Sequence, residues 1–268
     1  MVDAPEILLE WPRPGVALVT LNRPDRLNAL THRAMRSLLA ALREASDHPE
    51  CLVIVITGAG RAFSAGLDIG ASMARQFDHP TPIPERFDGQ ELFASLPRTI
   101  RTIRQPVIAA VNGAAAGAGM GITLAADIRV AAHSAVFHIA AVKLGLSAGE
   151  CGISYHLPRL IGASKAYEYM LTARPIDSAT ADRLGLVAGV YPVGDVVDEA
   201  LALAGEIASH SPFAIFQTKQ VMLQNVDNNF ETALAIENRA QILAINTEDS
   251  TEAMRAFLEK RSPVYTGR

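Results

Sequence analysis

The sequence is poor in cysteine and tryptophan and has no excess of positive charge. It contains 2 Cys and 1 Trp among 268 residues, and its 24 Lys plus Arg are outnumbered by 28 Asp plus Glu, for a formal net charge of −4. Neither Cys51 nor Cys151 belongs to a Cys-x-x-Cys pair or to a Cys/His cluster with metal-site spacing, which favours a reducing cytoplasm and predicts no metal. Because nucleic-acid binders use a basic surface to displace counterions, nucleic acid is not an expected partner.

Long hydrophobic runs are also missing. Residues 1–10 carry three acidic side chains and no basic segment followed by an apolar one, so we expect no signal peptide. A membrane-spanning helix needs about 18 uncharged apolar residues, and the longest candidate, Val107–Ala126, is interrupted by glycines. With 49% hydrophobic and 19% charged residues, the chain can still bury a large core. We therefore expect a cytoplasmic protein with one large domain and no membrane contact.

The first half of the chain alternates between strand and helix patterns. Ile7–Glu10 and Val16–Leu21 predict a hairpin, because a turn rich in Pro and Gly separates them. Asn28–Ala45 has apolar residues at helical intervals. The next apolar run, Cys51–Thr57, has no polar alternation and predicts a strand buried on both faces. This β-α-β succession is typical of parallel α/β sheets.

The same succession continues further along the chain. We expect a helix over Gln90–Ile103, a strand over Val107–Val111, a small-residue helix up to Ala126 and a strand over Ile128–Ala132. The Pro-rich stretch His79–Pro84 predicts a mobile surface segment. In the last third, amphipathic patterns predict helices suited to packing on the core or on another subunit, namely Val196–Ala208, Phe213–Val226, Phe230–Leu243 and Thr251–Lys260.

Two glycine-containing loops follow predicted buried strands. Gly117–Gly121 does not fit a dinucleotide site, because Ile122 replaces the last glycine of Gly-x-Gly-x-x-Gly and no acidic residue follows about 20 positions on. Ala62–Gly66 is one residue short of a Gly-x-Ser-x-Gly elbow around Ser64, so a serine hydrolase stays open. Both loops expose backbone N–H groups among small residues, which suits either an oxyanion hole or close helix–strand packing.

Four segments resemble, in the same order, the motifs of the crotonase (enoyl-CoA hydratase/isomerase) superfamily. They are Leu21–Leu30, Arg61–Ile69, Gln105–Gly121 and Ala256–Arg261. The resemblance implies an α/β fold of the ClpP/crotonase-like type, a spiral of ββα repeats with a carboxy-terminal helical oligomerisation region. It implies that 1–200 form the spiral core for acyl-CoA binding and catalysis, and that 201–268 serve trimerisation and cover the CoA site. A homotrimer or a dimer of trimers is the expected assembly.

The resemblance also implies chemistry on an acyl-CoA thioester, with no cofactor besides the CoA of the substrate. Such reactions pass through an enolate whose thioester oxygen is negative, so fixed N–H donors stabilise the transition state. Matching motif to motif, these donors are the backbone N–H groups of Leu67 and Ala118. The residues expected to contact CoA are Arg26, Ala29, Ala65, Gly66, Asp68, Ile69, Phe257 and Lys260.

The sequence departs from the hydratases of this family at two positions. Those enzymes activate water with two glutamates, and the matching positions here hold Gly121 and Ala141. Ordinary two-glutamate hydration is therefore not expected, because each positioned acid or base supplies a large part of the rate. The prediction is an enzyme for double-bond isomerisation or a related proton transfer, with a noncatalytic acyl-CoA-binding protein and the serine hydrolase as alternatives.

One acidic residue, Glu150, remains near the expected acyl site. It resembles the position where dienoyl-CoA isomerases and the halobenzoyl-CoA dehalogenase of the family carry a working Asp. There it can move a proton between carbons or attack as a nucleophile. Alternatively, it caps the helix that begins near Cys151. His138 and His156 are weaker candidates, because a lone histidine is usually structural.

Overall fold

Two sheets form the core of the computed structural model, which describes residues 4–70 and 82–268. The strands in chain order are β1 (Ile7–Arg13), β2 (Val16–Leu21), β3 (Val53–Gly58), β4 (Ala62–Ser64), β5 (Val107–Val111), β6 (Ala114–Ala116), β7 (Ile128–Ala132), β8 (Val136–His138), β9 (Ile176–Asp177) and β10 (Gly189–Tyr191). One sheet has the order β1-β2-β3-β5-β7-β10 and the other has the order β4-β6-β8-β9. The predicted hairpin is confirmed as β1 and β2, which pair antiparallel, and the larger sheet is parallel from β2 onward.

The helices fill the intervals between strands and then continue alone to the carboxyl end. They are α1 (His32–Asp47), α2 (Ile83–Thr102), α3 (Ala118–Ala125), α4 (Ile153–Ile161), α5 (Ala163–Thr172), α6 (Ser178–Arg183), α7 (Val196–Ala208), α8 (Pro212–Asn225), α9 (Phe230–Ile245) and α10 (Glu248–Glu259). Two short 3₁₀ helices lie at Pro24–Arg26 and Ala141–Leu144. None of the helices in residues 4–70 and 82–268 is both long and apolar enough to cross a membrane.

Successive strand pairs divide between the two sheets in a repeating way. In each of the pairs β3/β4, β5/β6 and β7/β8, the first strand joins the six-stranded sheet and the second joins the four-stranded sheet. A helix follows each pair, namely α2, α3 and α4 in turn. Strands β4, β6 and β8 pair in parallel, so each repeat is stacked beside the previous one. This arrangement is a spiral of ββα units.

The central strands of the six-stranded sheet are buried on both faces, as their apolar sequences predict. Every residue of β3 and β5 is buried. Neighbouring residues of β3 point to opposite faces. Ile54 packs in one cluster with Leu38 of α1, and Val55 packs in another with Ala200 of α7. The predicted division after residue 200 thus falls inside α7, a helix that packs on the sheet.

Two boundaries near the amino-terminal repeats differ from the sequence prediction. The helix expected from Asn28 begins at His32, because Asn28 is left-handed (φ 54°) and the Thr31 hydroxyl accepts the Ala34 N–H as an N-cap. Residues 79–81 of the predicted mobile stretch 79–84 lie outside the described residues. Ile83 and Pro84 belong to the first turn of α2. Proline suits this first turn because the N–H it lacks has no partner there.

Candidate active site

The two glycine loops meet where β4 and β6 end. Gly66 has a φ of 82°, and a Cβ on it would lie 2.6 Å from the Ala116 carbonyl oxygen and 3.3 Å from the Ala118 nitrogen. A side chain at this position would therefore separate the loops, and only glycine permits both the close approach and the backbone conformation. The predicted loops around Leu67 and Ala118 are thus direct neighbours.

Backbone hydrogen bonds fix the loop that carries Leu67. The Leu30 N–H donates to the Gly66 carbonyl at 2.7 Å, and the Asp68 N–H donates to the Leu30 carbonyl at 3.0 Å. The N–H of Leu67, which lies between these two bonded residues, has no acceptor among the described residues. A held N–H without a protein partner is available to a ligand oxygen.

Ala118 is the first residue of α3. The preceding Gly117 has a φ of 49° and donates its own N–H to the His138 carbonyl at 3.1 Å. Within the described part of the chain the N–H of Ala118 has no acceptor. Because the amino end of a helix carries partial positive charge, this N–H is suited to binding an oxygen that becomes negative.

A network of charged side chains supports the first loop. Arg23 contacts Asp68 at 3.0 Å and Glu6 at 3.3 Å, and it also donates to the Ala29 carbonyl. Asp68 therefore anchors the loop next to Leu67 through its carboxylate. The sequence indicated Asp68 through its motif, but gave no signal for Arg23 or Glu6 as its partners.

Ser64 is fully buried below the same loop. Its hydroxyl donates to the Asn28 carbonyl at 2.8 Å and accepts the Gly66 N–H at 3.2 Å. A nucleophilic serine needs an accessible hydroxyl that a base can deprotonate. The Ser64 hydroxyl instead holds the turn that presents Leu67, which argues against the serine hydrolase.

The carboxylate of Glu150 lies beside Gly117, in the second of the two glycine loops. It is half-buried, and its Oε1 lies 3.5 Å from the position a Cβ on Gly117 would take. Glu150 has neither a side-chain hydrogen bond nor an ion pair among the described residues. Burial raises the pKa of this carboxyl above its usual 4.5, because the charged form loses water.

The alternative role of Glu150 as a helix cap does not match the geometry. Helix α4 begins at Ile153, and Gly152 is its N-cap, without a side-chain capping hydrogen bond. The Ile153 N–H donates to the main-chain oxygen of Glu150 at 2.8 Å, which leaves the carboxylate free of that turn. The side chain is therefore directed to another role than capping.

The two positions that lack a glutamate are both enclosed. Gly121 is buried on α3, and a Cβ on it would lie 2.6 Å from the Cβ of Cys151. Ala141 is buried at the start of the second 3₁₀ helix. Neither position supplies an acidic group to the loops. Among the described residues, Asp68 is paired with Arg23, and Glu150 is a carboxylate without an ion pair beside the second loop.

The two histidines have structural surroundings. His138 places its Nε2 3.2 Å from the Ala173 carbonyl oxygen. Burial, together with nearby arginines, lowers the pKa of His156 to about 4, so this imidazole is neutral at pH 7. Among the described residues, no three His, Cys, Asp or Glu side chains come together as a metal site would require.

The expected CoA contacts differ in their surroundings. Arg26, Ala65 and Ile69 are exposed on or beside the first loop, whereas Ala29 and Gly66 are buried. Phe257 is 83% exposed on α10, and Lys260 ends that helix in a left-handed conformation. Within residues 4–70 and 82–268, no hydrogen bond or ring contact links Phe257 or Lys260 to the two loops.

The sequence and the fold are both similar to those of known proteins. The model of the enoyl-CoA hydratase/isomerase family matches residues 13–268. A probable enoyl-CoA hydratase of Mycobacterium tuberculosis is 40% identical over 263 residues, which cover 97% of this chain and 92% of the relative. The solved structure of an enoyl-CoA hydratase from Bacillus anthracis has a TM-score of 0.93 at 32% identity, covering 98% of this chain and all (100%) of that one. A monofunctional enoyl-CoA isomerase from M. smegmatis has a TM-score of 0.73 at 39% identity, covering 85% and 98%. The predicted α/β fold class is thereby confirmed.

Proposed function

Because the chain belongs to the enoyl-CoA hydratase/isomerase family, we propose that it moves a double bond in an acyl-CoA, with Glu150 as the proton carrier. The observation that carries this proposal is the partially buried Glu150 carboxylate, which has no hydrogen-bond or ion-pair partner within residues 4–70 and 82–268 and lies beside Gly117 at the amino end of α3. Gly117 immediately precedes Ala118, whose N–H is the proposed donor. The acid or base and the charge-stabilising donor are thus adjacent.

The proposed reaction uses this carboxylate twice. As a base, Glu150 takes a proton from the carbon next to the thioester, and the electron pair moves into the thioester oxygen. The N–H groups of Leu67 and Ala118 stabilise that oxyanion. Glu150 then returns the proton at a carbon further along the conjugated chain. The pKa of Glu150, raised by burial, suits both steps, because a catalytic acid or base works best with a pKa near the working pH.

The proposal requires no cofactor besides the CoA carried by the substrate, and it requires no second carboxylate. Hydration would need one group to activate water and another to protonate carbon. Gly121 and Ala141 supply neither. We expect hydration of a 2-enoyl-CoA to be slower by at least ~10²-fold than conversion of the preferred 3-enoyl or dienoyl substrate.

The test is a panel of saturated, 2-enoyl, 3-enoyl and dienoyl CoA thioesters, followed by mass spectrometry and conjugated-enoyl absorbance. Glu150→Gln keeps the shape of the side chain and removes its titration, so kcat should fall at least ~10²-fold while KM changes little. Glu206→Gln, at an exposed position of α7, is the matched control. Wild-type turnover by Glu150→Gln would refute the proposal, and tight binding of every ester without turnover would identify a noncatalytic acyl-CoA-binding protein.

The assembly we propose is a homotrimer or a dimer of trimers. Large apolar side chains on the carboxy-terminal helices are exposed in the single chain, including Met222, Phe230, Ile242, Phe257 and Leu258. Such surfaces usually mark an interface. Light scattering coupled to size-exclusion chromatography tests this directly, since a monomer at micromolar concentration would contradict it.

A further inference from the structure

The segment that carries Glu150 has an unusual backbone. Cys151 has a φ of 49° and Gly152 has a φ of 78°, so two consecutive residues are left-handed. This conformation is unfavourable for any residue with a Cβ. It persists only where the surroundings hold it in place.

The bare backbone of α3 provides those surroundings. A Cβ on Gly121 would lie 2.6 Å from the Cβ of Cys151 and 2.8 Å from its carbonyl oxygen. Real Cβ atoms do not approach other atoms so closely, so Cys151 occupies the space a side chain at residue 121 would need. Cys151 is only 6% exposed. Burial and the neighbouring Glu150 carboxylate raise the pKa of this thiol to about 12, so it adds no second charge beside Glu150.

The same helix turn receives the carboxylate. Gly117 is the N-cap of α3, and its carbonyl accepts the Gly121 N–H at 3.0 Å, so the two glycines are neighbours at the first turn. Glu150 reaches Gly117, and Cys151 reaches Gly121. The segment thus lies along the amino end of α3 with two contacts. The contact at Gly121 depends on the absence of a side chain there, whereas the contact at Gly117 has an ordinary van der Waals distance.

We propose that Gly121 and Cys151 are positioning residues that direct the Glu150 carboxylate toward the oxyanion donor at Ala118. This inference rests on the proposed function and extends it. The position that holds a glutamate in two-glutamate hydratases is, in this chain, the place where the Glu150 segment is seated. A larger residue at position 121 therefore moves Glu150 away from the oxyanion site.

The experiment is a double-mutant cycle with Gly121→Ala and Glu150→Gln, measured as kcat and KM on the best acyl-CoA of the panel. Because a misplacement of 1 Å can cost ~10²-fold, Gly121→Ala should lower kcat at least ~10-fold with little change in KM. If Gly121 acts through Glu150, adding Gly121→Ala to Glu150→Gln should lower kcat no further. Gly205→Ala is the matched control, because a Cβ there meets only the end of Arg13 at 3.6 Å.

Two results would overturn the inference. One is wild-type kcat in Gly121→Ala, and the other is a double variant whose loss is the product of the two single losses. If Glu150→Gln alone retains wild-type kcat, the proposed function fails first, so the two failures are distinguishable. Circular dichroism and melting temperature establish folding. Should Gly121→Ala not fold, Cys151→Val completes the same cycle, because a β-branched residue is strongly disfavoured at positive φ.

Discussion

Replacing Lys219 by Met is expected to lower the free energy of unfolding by about 3 kcal/mol, the lower end of the range for breaking a buried ion pair. Lys219 lies on α8 and is 6% exposed. Its ammonium contacts Asp127 Oδ2 at 2.8 Å, the Gln105 carbonyl at 2.8 Å and the Ile100 carbonyl at 3.3 Å. Burial lowers the pKa of Lys219, and the carboxylate of Asp127 opposes that lowering. Methionine fills a similar volume but leaves three acceptors without this donor.

The lower end of the range is expected because Asp127 keeps other partners. Its Oδ2 accepts the Val107 N–H at 2.8 Å, and Arg101 lies 3.7 Å from its Oδ1. For a domain of this size, 1 kcal/mol corresponds to roughly 2–4 °C in melting temperature, so we expect a decrease of about 6–12 °C. Differential scanning calorimetry measures it, with chemical denaturation as a second method.

A second substitution separates lost charge pairing from lost packing. In Lys219→Met/Asp127→Asn, an amide replaces the carboxylate that has lost its ammonium partner, so the melting temperature should rise part of the way back toward that of the wild type. Lys165→Met is the matched control, because it and its partner Glu168 are at the surface, where solvent screens the charges and the pair contributes little to stability. A melting temperature for Lys219→Met within about 2 °C of the wild-type value would refute this reasoning.

Three further predictions concern the site and its surroundings. Ala118→Pro removes the N–H at the first position of α3, where proline is tolerated, so the fold should be retained, which circular dichroism checks. Because one oxyanion donor is lost, kcat should fall ~10²–10³-fold. Because the pKa of Glu150 is raised, its basic form is protonated at a higher pH than that of an ordinary glutamate. On acidification kcat should therefore begin to fall at a correspondingly higher pH, which a profile of kcat from pH 4 to 8 measures. The pKa of His156 is lowered from 6.5 to about 4 in the folded chain, so between these pH values the unfolded chain binds a proton that the folded chain does not. The melting temperature should therefore fall as the pH drops from about 6.5 to about 4, and His156→Gln should weaken this dependence.

The strands of the larger sheet could be predicted because each one is encoded by a continuous run of apolar residues. The apolar run Cys51–Thr57 gave β3, which begins at Val53, and Val107–Val111 gave β5 without error. The start of α1 could not be read in this way. Asn28 is held in a left-handed turn by long-range bonds from its amide to the carbonyls of Ala59 and Ala62, and no periodicity signals such bonds.

The site followed the same rule. The two glycine loops could be recognised because short glycine turns after strands are local features. The choice of Leu67 and Ala118 as donors came from the family resemblance and stays a prediction. The contact of Cys151 with Gly121 and the Lys219–Asp127 pair join distant segments through the fold, so composition and spacing gave no sign of them. The role of Glu150 stays a prediction, but its position beside Gly117 makes it testable.

The donors at Leu67 and Ala118 belong to the main chain, which has a consequence for how such a protein can change. Most substitutions at these two positions alter a side chain and leave the N–H in place. The machinery that would stabilise an enolate is therefore insensitive to ordinary point mutation. The groups that decide where a proton goes are side chains, and a single codon change can add, move or delete one. In this way one fold can change from one thioester reaction to another and still stabilise the enolate intermediate that those reactions share.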